Sequence, residues 1–207
     1  MPDELVFYTN PMSRGRIARW MLEEVGVPYR TEMLDFGTTM KSPTYLAINP
    51  MGKVPAIKHG DTIVTECAAI CAYLADAFPA AKLAPPLDKR GDYYRWLFFT
   101  AGPVEAAVSN NALGLKVPAD KEGMIGYGTY GRVMDTLERA VTAHPYVAGD
   151  DFTAADVYVG AHISWGLQFG TIEKRKAFED YCARLDRRPA HLRATELDDA
   201  AMPPKQK

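Results

Sequence analysis

Glu66 and Cys67 stand side by side at the head of a compact, Ala-rich segment that runs to Ala77 and stops before Pro79. A helix beginning there presents unpaired backbone N–H groups and the positive end of its dipole, a combination that attracts a carboxylate. Ser13 holds the same place at the head of an earlier helical run. Its hydroxyl can cap that helix or donate to an anion held in front of it. Val54-Pro55 follows Lys53 at the start of an apolar run. Proline there removes one ladder donor, and X–Pro is the peptide bond for which cis costs only about 0.5–1 kcal/mol. The three cysteines, Cys67, Cys71 and Cys182, form neither a CxxC pair nor a zinc-like pairing with the four histidines. That pattern predicts no metal site, and thiols that stay reduced as in a reducing compartment.

These residues must be held by a particular order of elements. Leu5–Thr9 is short, aromatic and β-branched, and Asn10-Pro11 turns the chain after it, which predicts a buried strand. From Ser13 the period changes: Ile17, Trp20, Met21 and Val25 share a helical face, with Arg16, Arg19, Glu23 and Glu24 opposite. Gly26 and Pro28 end that helix near Val25. YRTEM at 29–33 alternates as a second strand, VPAIKH and TIV flank the turn pair Gly60-Asp61 as a hairpin, and a helix covers 66–77. The order β-α-β then β-β-α in the first part of the chain matches the thioredoxin-like plan.

AAKLAPPLDKR, with its Pro-Pro pair and charges, reads as a linker. Beyond it the segments 93–108, 124–141, 154–169 and 177–185 carry helical spacing or composition, so a second, all-helical domain is expected. Thr153 and Asp156 form a capping box with Phe152 as its staple, a folding signal. GYGTYG at 126–131 satisfies G-x-G-x-x-G but lies between helical segments with no strand before it, so it predicts a close helix–helix approach and no nucleotide site.

Composition excludes other classes. Lys plus Arg number 24 against 26 for Asp plus Glu, leaving no global field to gather nucleic acid or anionic membrane. The local run Arg14, Arg16 and Arg19 reads as a solvated helix face. The N-terminus lacks the charged leader and apolar core of a signal peptide, and nowhere do 18 apolar residues run together, so a cytoplasmic protein is expected.

SRGRIARWMLEEVG, NPMGKVPAI, TECAAICAYLAD and GDDFTAADV, in that order and spacing, resemble the cytosolic glutathione transferases over nearly the whole chain. The likeness is to bacterial-type members with a Ser-type (theta/tau-like) active site. It implies an α/β plus all-α fold: a thioredoxin-like glutathione-binding domain at 1–80, a linker at 81–90, and a helical domain at 91–207 lining the pocket for a second substrate. It implies that Pro55 is cis and that the Val54 backbone pairs with the cysteinyl unit of glutathione as an added strand would. It assigns Glu66 to the γ-glutamyl ammonium and the following residue to its carboxylate. The family has Ser there and this chain has Cys67, a weaker donor that keeps its backbone N–H. The likeness implies that Lys53 pairs with the glycine carboxylate, with Lys41 assisting.

Chemistry on glutathione requires its thiolate, and lowering a thiol pKa by about 2 units takes roughly 2.7 kcal/mol of preferential stabilisation. The resemblance places Ser13 as the sulfur's hydrogen-bond donor, with Tyr8 and then Asn10 as alternatives because the NPMSRG loop aligns in more than one way. The implied activity is attack of that thiolate on a small, electrophilic, largely apolar molecule, the second substrate meeting it against the helices holding Tyr93 to Val108 and Trp165. Phe98, Phe99 and Trp165 serve equally well as pocket walls or as core. Glutathione is then a co-substrate, without metal or nucleotide, in a homodimer. A peroxidase, isomerase or dehalogenase using the same thiolate, or a binding protein that keeps the fold without catalysis, are the alternatives.

Overall fold

The computed structural model describes residues 3–203, which divide into two units: residues up to Lys82 with those from Arg188 onward, and Leu83–Arg187. The first unit holds a four-stranded sheet in the order β2-β1-β3-β4. Its strands are β1 (Leu5–Thr9), β2 (Arg30–Met33), β3 (Ala56–His59) and β4 (Thr62–Thr65). β1 and β2 run parallel, joined by helix α1 (Gly15–Val25), while β3 and β4 form an antiparallel hairpin beside β1. With the short α2 (Pro43–Leu46) and α3 (Cys67–Ala77), this is the expected thioredoxin-like arrangement.

Side-chain alternation along β1 supplies both faces. Phe7 is fully buried with the Arg19 guanidinium of α1 5.1 Å from its ring centre, while Tyr8 packs on Tyr45 of α2. α1 buries Ile17, Ala18, Trp20, Met21 and Leu22 and ends at Gly26, whose φ of 72° lets its N–H close on the Leu22 carbonyl. At its other end Gly15 lies against Thr9, where any Cβ would collide with the Thr9 hydroxyl oxygen.

The expected domain boundary changes in two ways. Leu83 is buried and its carbonyl accepts from the Ala154 N–H at 2.8 Å, so the second unit begins inside the expected 81–90 linker, at Leu83. The last helix, α9 (Pro189–Ala200), belongs to the first unit, where it lies along α1, rather than to a helical domain reaching 207. Charge pairs line this contact. Arg19, expected on a solvated face, is only 4% exposed and its Nε donates to Asp198 at 2.7 Å, while Arg188 forms two hydrogen bonds to Glu24.

The second unit is helical: α4 (Gly91–Phe99), α5 (Glu105–Ala112), α6 (Tyr130–Ala143), α7 (Ala154–Phe169) and α8 (Lys176–Leu185). A π-helical turn, Thr100–Val104, joins α4 to α5 and contains Pro103. Proline has no N–H to return to the preceding turn, so the ladder widens there. The capping box forms as expected, with Thr153 Oγ1 and the Asp156 carboxylate closing on each other's backbone. The GYGTYG reading does not hold, because a Cβ on Gly126 or Gly131 would meet nothing within 4 Å. The run is the turn before α6: Gly128 has φ of 67°, Thr129 is the N-cap, and helix starts at Tyr130 rather than Met124.

Among the described residues no helix is long and apolar enough to cross a membrane.

Candidate functional site

Three segments carrying the predicted residues leave the sheet at the same end. Tyr8 near the end of β1 pairs with Ala56 at the start of β3, and Ala56 pairs with Thr65 at the end of β4. The turn 10–13 leaves from β1, residues 51–55 enter β3, and Glu66-Cys67 follow β4. Register alone therefore brings Ser13, Val54 and Glu66 to one edge, although they are far apart in sequence.

The approach to β3 is held rigidly. Val54-Pro55 is cis, as expected, and ladder pairing begins only at Ala56, which leaves the Val54 N–H and C=O outside the ladder. The Lys53 carbonyl accepts from Tyr45 Oη at 2.6 Å and Asn49 Nδ2 at 2.8 Å. Burial pushes the Tyr45 hydroxyl up to about 12, so it remains a donor. Lys53 itself is exposed. Lys41, expected to assist with a carboxylate, instead donates Nζ to the carbonyls of Gly52 at 2.8 Å and Met51 at 3.3 Å and props this loop.

At the head of α3, Glu66 has φ of 67° and ψ of 121°, a conformation rarely adopted by a residue with a side chain. Such strain, of order 1–3 kcal/mol, persists where surrounding structure enforces it, often at ligand clamps. Its carboxylate makes no capping bond to its own helix and is exposed. Cys67 Sγ lies 3.6 Å from the Arg14 carbonyl, tying the head of α3 to that of α1. The other two thiols, Cys71 and Cys182, are buried. Burial pushes Cys71 well up and Cys182 up to about 12, which leaves both poor nucleophiles.

The turn 10–13 is internally bonded. Ser13 is buried, its Oγ donates to the Asn10 carbonyl at 2.7 Å, and it accepts from the Gly15 N–H at 2.9 Å. The hydroxyl thus braces the start of α1, although α1 itself begins only at Gly15. Asn10, an alternative donor, is committed: Nδ2 donates to Leu34 O at 2.8 Å and Oδ1 accepts from Met12 N–H at 2.9 Å. Tyr8, the other alternative, is half-buried in the cluster of Met40, Tyr45 and Ala56, against which Val54 also packs.

Tyr45, Asn49 and Arg16, whose Nε donates to the Pro11 carbonyl at 2.7 Å, hold these loops and were not singled out as site residues from the sequence. Asn49 and Arg16 lie inside the quoted motifs, but nothing in their spacing reveals which carbonyl they meet. Among the described residues no group of three His, Cys, Asp or Glu side chains is placed to hold a metal ion.

A family model for the glutathione S-transferase N-terminal domain matches residues 12–77, a span that holds Ser13, Val54-Pro55 and Glu66-Cys67. A probable glutathione S-transferase of Oryza sativa subsp. japonica is 28% identical, with 90% of this chain and 86% of that protein covered. Over these spans the chain is similar to the glutathione transferases. Among solved structures, a glutathione transferase from Methylococcus capsulatus str. Bath superposes with TM-score 0.78 at 26% identity, covering 95% of this chain and 99% of that one. A Sulfitobacter glutathione transferase homolog with bound glutathione superposes with TM-score 0.74 at 26% identity, covering 96% and 99%. The fold described above, thioredoxin-like sheet and helical second unit, is the transferase fold.

Proposed function

We propose that this chain is a glutathione transferase of Ser type that binds glutathione along the sheet edge formed by Val54, Glu66 and Cys67 and stabilises its thiolate for attack on an electrophilic, apolar second substrate. The observation that carries the reading is the convergence of the turn 10–13, the Val54-Pro55 segment and the head of α3 at one end of the sheet. The glutathione held by the Sulfitobacter homolog and the transferase name of the rice relative support it.

In this reading the Val54 N–H and C=O pair with the cysteinyl unit as an added strand would. The Glu66 carboxylate meets the γ-glutamyl ammonium, and the backbone N–H of Cys67 at the helix start meets its carboxylate. Lys53 pairs with the carboxylate at the glycine end. Glu66→Ala is expected to weaken glutathione binding by about 2 kcal/mol, because the ammonium loses its only named counter-charge. Calorimetric titration measures it, and unchanged affinity would take Glu66 out of the site.

Thiolate support is proposed for Ser13. Its proton is held by the Asn10 carbonyl, which also accepts the Ser13 N–H at 3.1 Å and so keeps a partner when the hydroxyl turns away. A thiolate is a charged acceptor and outcompetes a neutral carbonyl. The Gly15 N–H donated to Oγ polarises the hydroxyl further. Ser13→Ala should raise the pKa of bound glutathione toward its free value and lower kcat/KM by roughly ten- to 150-fold, the equivalent of about 1.5–3 kcal/mol for a bond to a charged group. Affinity should hold nearly unchanged, since the peptide is gripped elsewhere. Ultraviolet absorbance of the thiolate against pH decides this, and a shift in Tyr8→Phe or Asn10→Ala with none in Ser13→Ala would transfer the role.

The commitment of the Ser13 donor within the turn and of the Asn10 donor to Leu34 O favours a second reading, a protein that binds glutathione without activating it. It predicts tight binding with the thiol pKa at its free value. Action on a peroxide or a halide, or isomerisation, would use the same thiolate, and a substrate panel scored by product and by loss of thiol separates them from transfer. The cytoplasm and a homodimeric state complete the proposal.

A further inference from the structure

Helix α9 occupies the polar stripe of α1. Arg188 bonds Glu24, the His191 ring sits 4.5 Å edge-on from the Trp20 ring, Asp198 takes Arg19, and Asp199 Oδ1 accepts from Arg16 Nη2 at 2.6 Å. The last of these contacts does not stop at α1. The same Arg16 guanidinium donates Nε to the Pro11 carbonyl at 2.7 Å, inside the turn that carries Ser13.

Pro11 offers no N–H, and the N–H groups of Met12 and Ser13 both return to Asn10. Among the described residues three side-chain bonds tie the turn to other parts of the unit: Asn10 Nδ2 to Leu34 O, Arg16 Nε to Pro11 O, and the Gly15 N–H to Ser13 Oγ. A guanidinium is a rigid planar fork, so fixing one of its N–H directions on Asp199 fixes where the other points.

We propose that Arg16 is a positioning residue, a strut that relays the placement of Asp199 on α9 to the turn 10–13 and so sets the orientation of the Ser13 hydroxyl. This rests on the proposed thiolate-supporting role of that turn. The Arg16 and Asp199 side chains are 24% and 62% exposed, so solvent screens their charges and the strut acts through geometry rather than through its field.

The test compares Arg16→Gln, Arg16→Lys and Asp199→Ala in the full chain with two measurements. Hydrogen exchange of the Ser13 and Gly15 amides should quicken roughly tenfold or more in both Arg16 variants while amides in the middle of α1 hold. The pKa of bound glutathione should rise by about 0.5–1 unit and the turnover rate fall roughly three- to tenfold, with the glutathione Kd unchanged within about twofold. Asp199→Ala should shift both readouts in the same direction but less, and adding it to Arg16→Gln should add little, as for two members of one chain. Unchanged exchange at Ser13 and Gly15 would overturn the strut. Arg16→Lys behaving as wild type would overturn it too, since lysine keeps the charge and loses the fork. A wild-type protein that leaves the thiol pKa at its free value would sink the functional reading instead, while the amide exchange still decides whether Arg16 holds the turn.

Discussion

Asp156→Ala is expected to cost the protein about 3–5 kcal/mol of stability, since several buried hydrogen bonds to one carboxylate are lost, each worth about 1.5–3 kcal/mol before relaxation. The Asp156 side chain is completely buried at the start of α7. Its Oδ1 accepts from the Val147 N–H and the Tyr181 hydroxyl, each at 2.7 Å, and its Oδ2 from the Thr153 N–H at 2.9 Å and the Thr153 hydroxyl at 3.2 Å. Truncation leaves these donors facing a small apolar methyl, and each orphaned buried donor costs about 1–3 kcal/mol before any relaxation. The loss also frees the loop before α7 and the face of α8, because one carboxylate ties Val147, Thr153 and Tyr181 together. Urea unfolding followed by circular dichroism gives the difference, and Tyr181→Phe should cost only about 1 kcal/mol in the same assay. A loss under about 1 kcal/mol for Asp156→Ala would mean that water enters and replaces the carboxylate.

Asp198→Ala should destabilise by about 3 kcal/mol, at the lower end of the range for breaking a buried pair. The Asp198 and Arg19 side chains are 1% and 5% exposed, so truncation leaves a cation with little water to turn to. The Arg19 guanidinium keeps the Tyr29 hydroxyl at 3.1 Å and the face of Phe7, which limits the loss. Burial pushes the Asp198 carboxyl above the usual carboxylate range against the pull of Arg19. The intact pair is thus purchased at a desolvation cost, and replacing both partners by leucine should recover most of the loss. Urea unfolding of the two single variants and the double variant checks this. A double variant as unstable as Asp198→Ala would show that the pair fixes α9 by more than charge neutralisation.

Much of the fold was legible because its signals are local. The period change at Ser13, the stop at Gly26, the hairpin at Gly60-Asp61 and the capping box at Thr153 each depend on residues within a few positions of one another, and each has its counterpart among the elements. α9 escaped because its segment, PAHLRATELDDA, has no apolar stripe. Its attachment is polar, and polar residues at helical spacing look like a solvated face until their partners are known. The same blindness put Arg19 in solvent and GYGTYG at a helix contact.

By itself the sequence determined the order of the strands, the caps at Gly26 and Thr153, and the residue types able to meet an acidic, zwitterionic peptide, all of which follow from steric and hydrogen-bonding rules acting over a few residues. Only the tertiary structure decided which of these residues share one end of the sheet, because strand register sets that across the forty residues of chain between Ser13 and Val54. Tertiary structure also decided where the hydrogens go. Ser13 bonds Asn10, Lys41 bonds the loop before Lys53, and Arg19 bonds the last helix. A side chain's choice of partner depends on what folding brings within about 3 Å of it, and spacing along the chain carries no record of that distance.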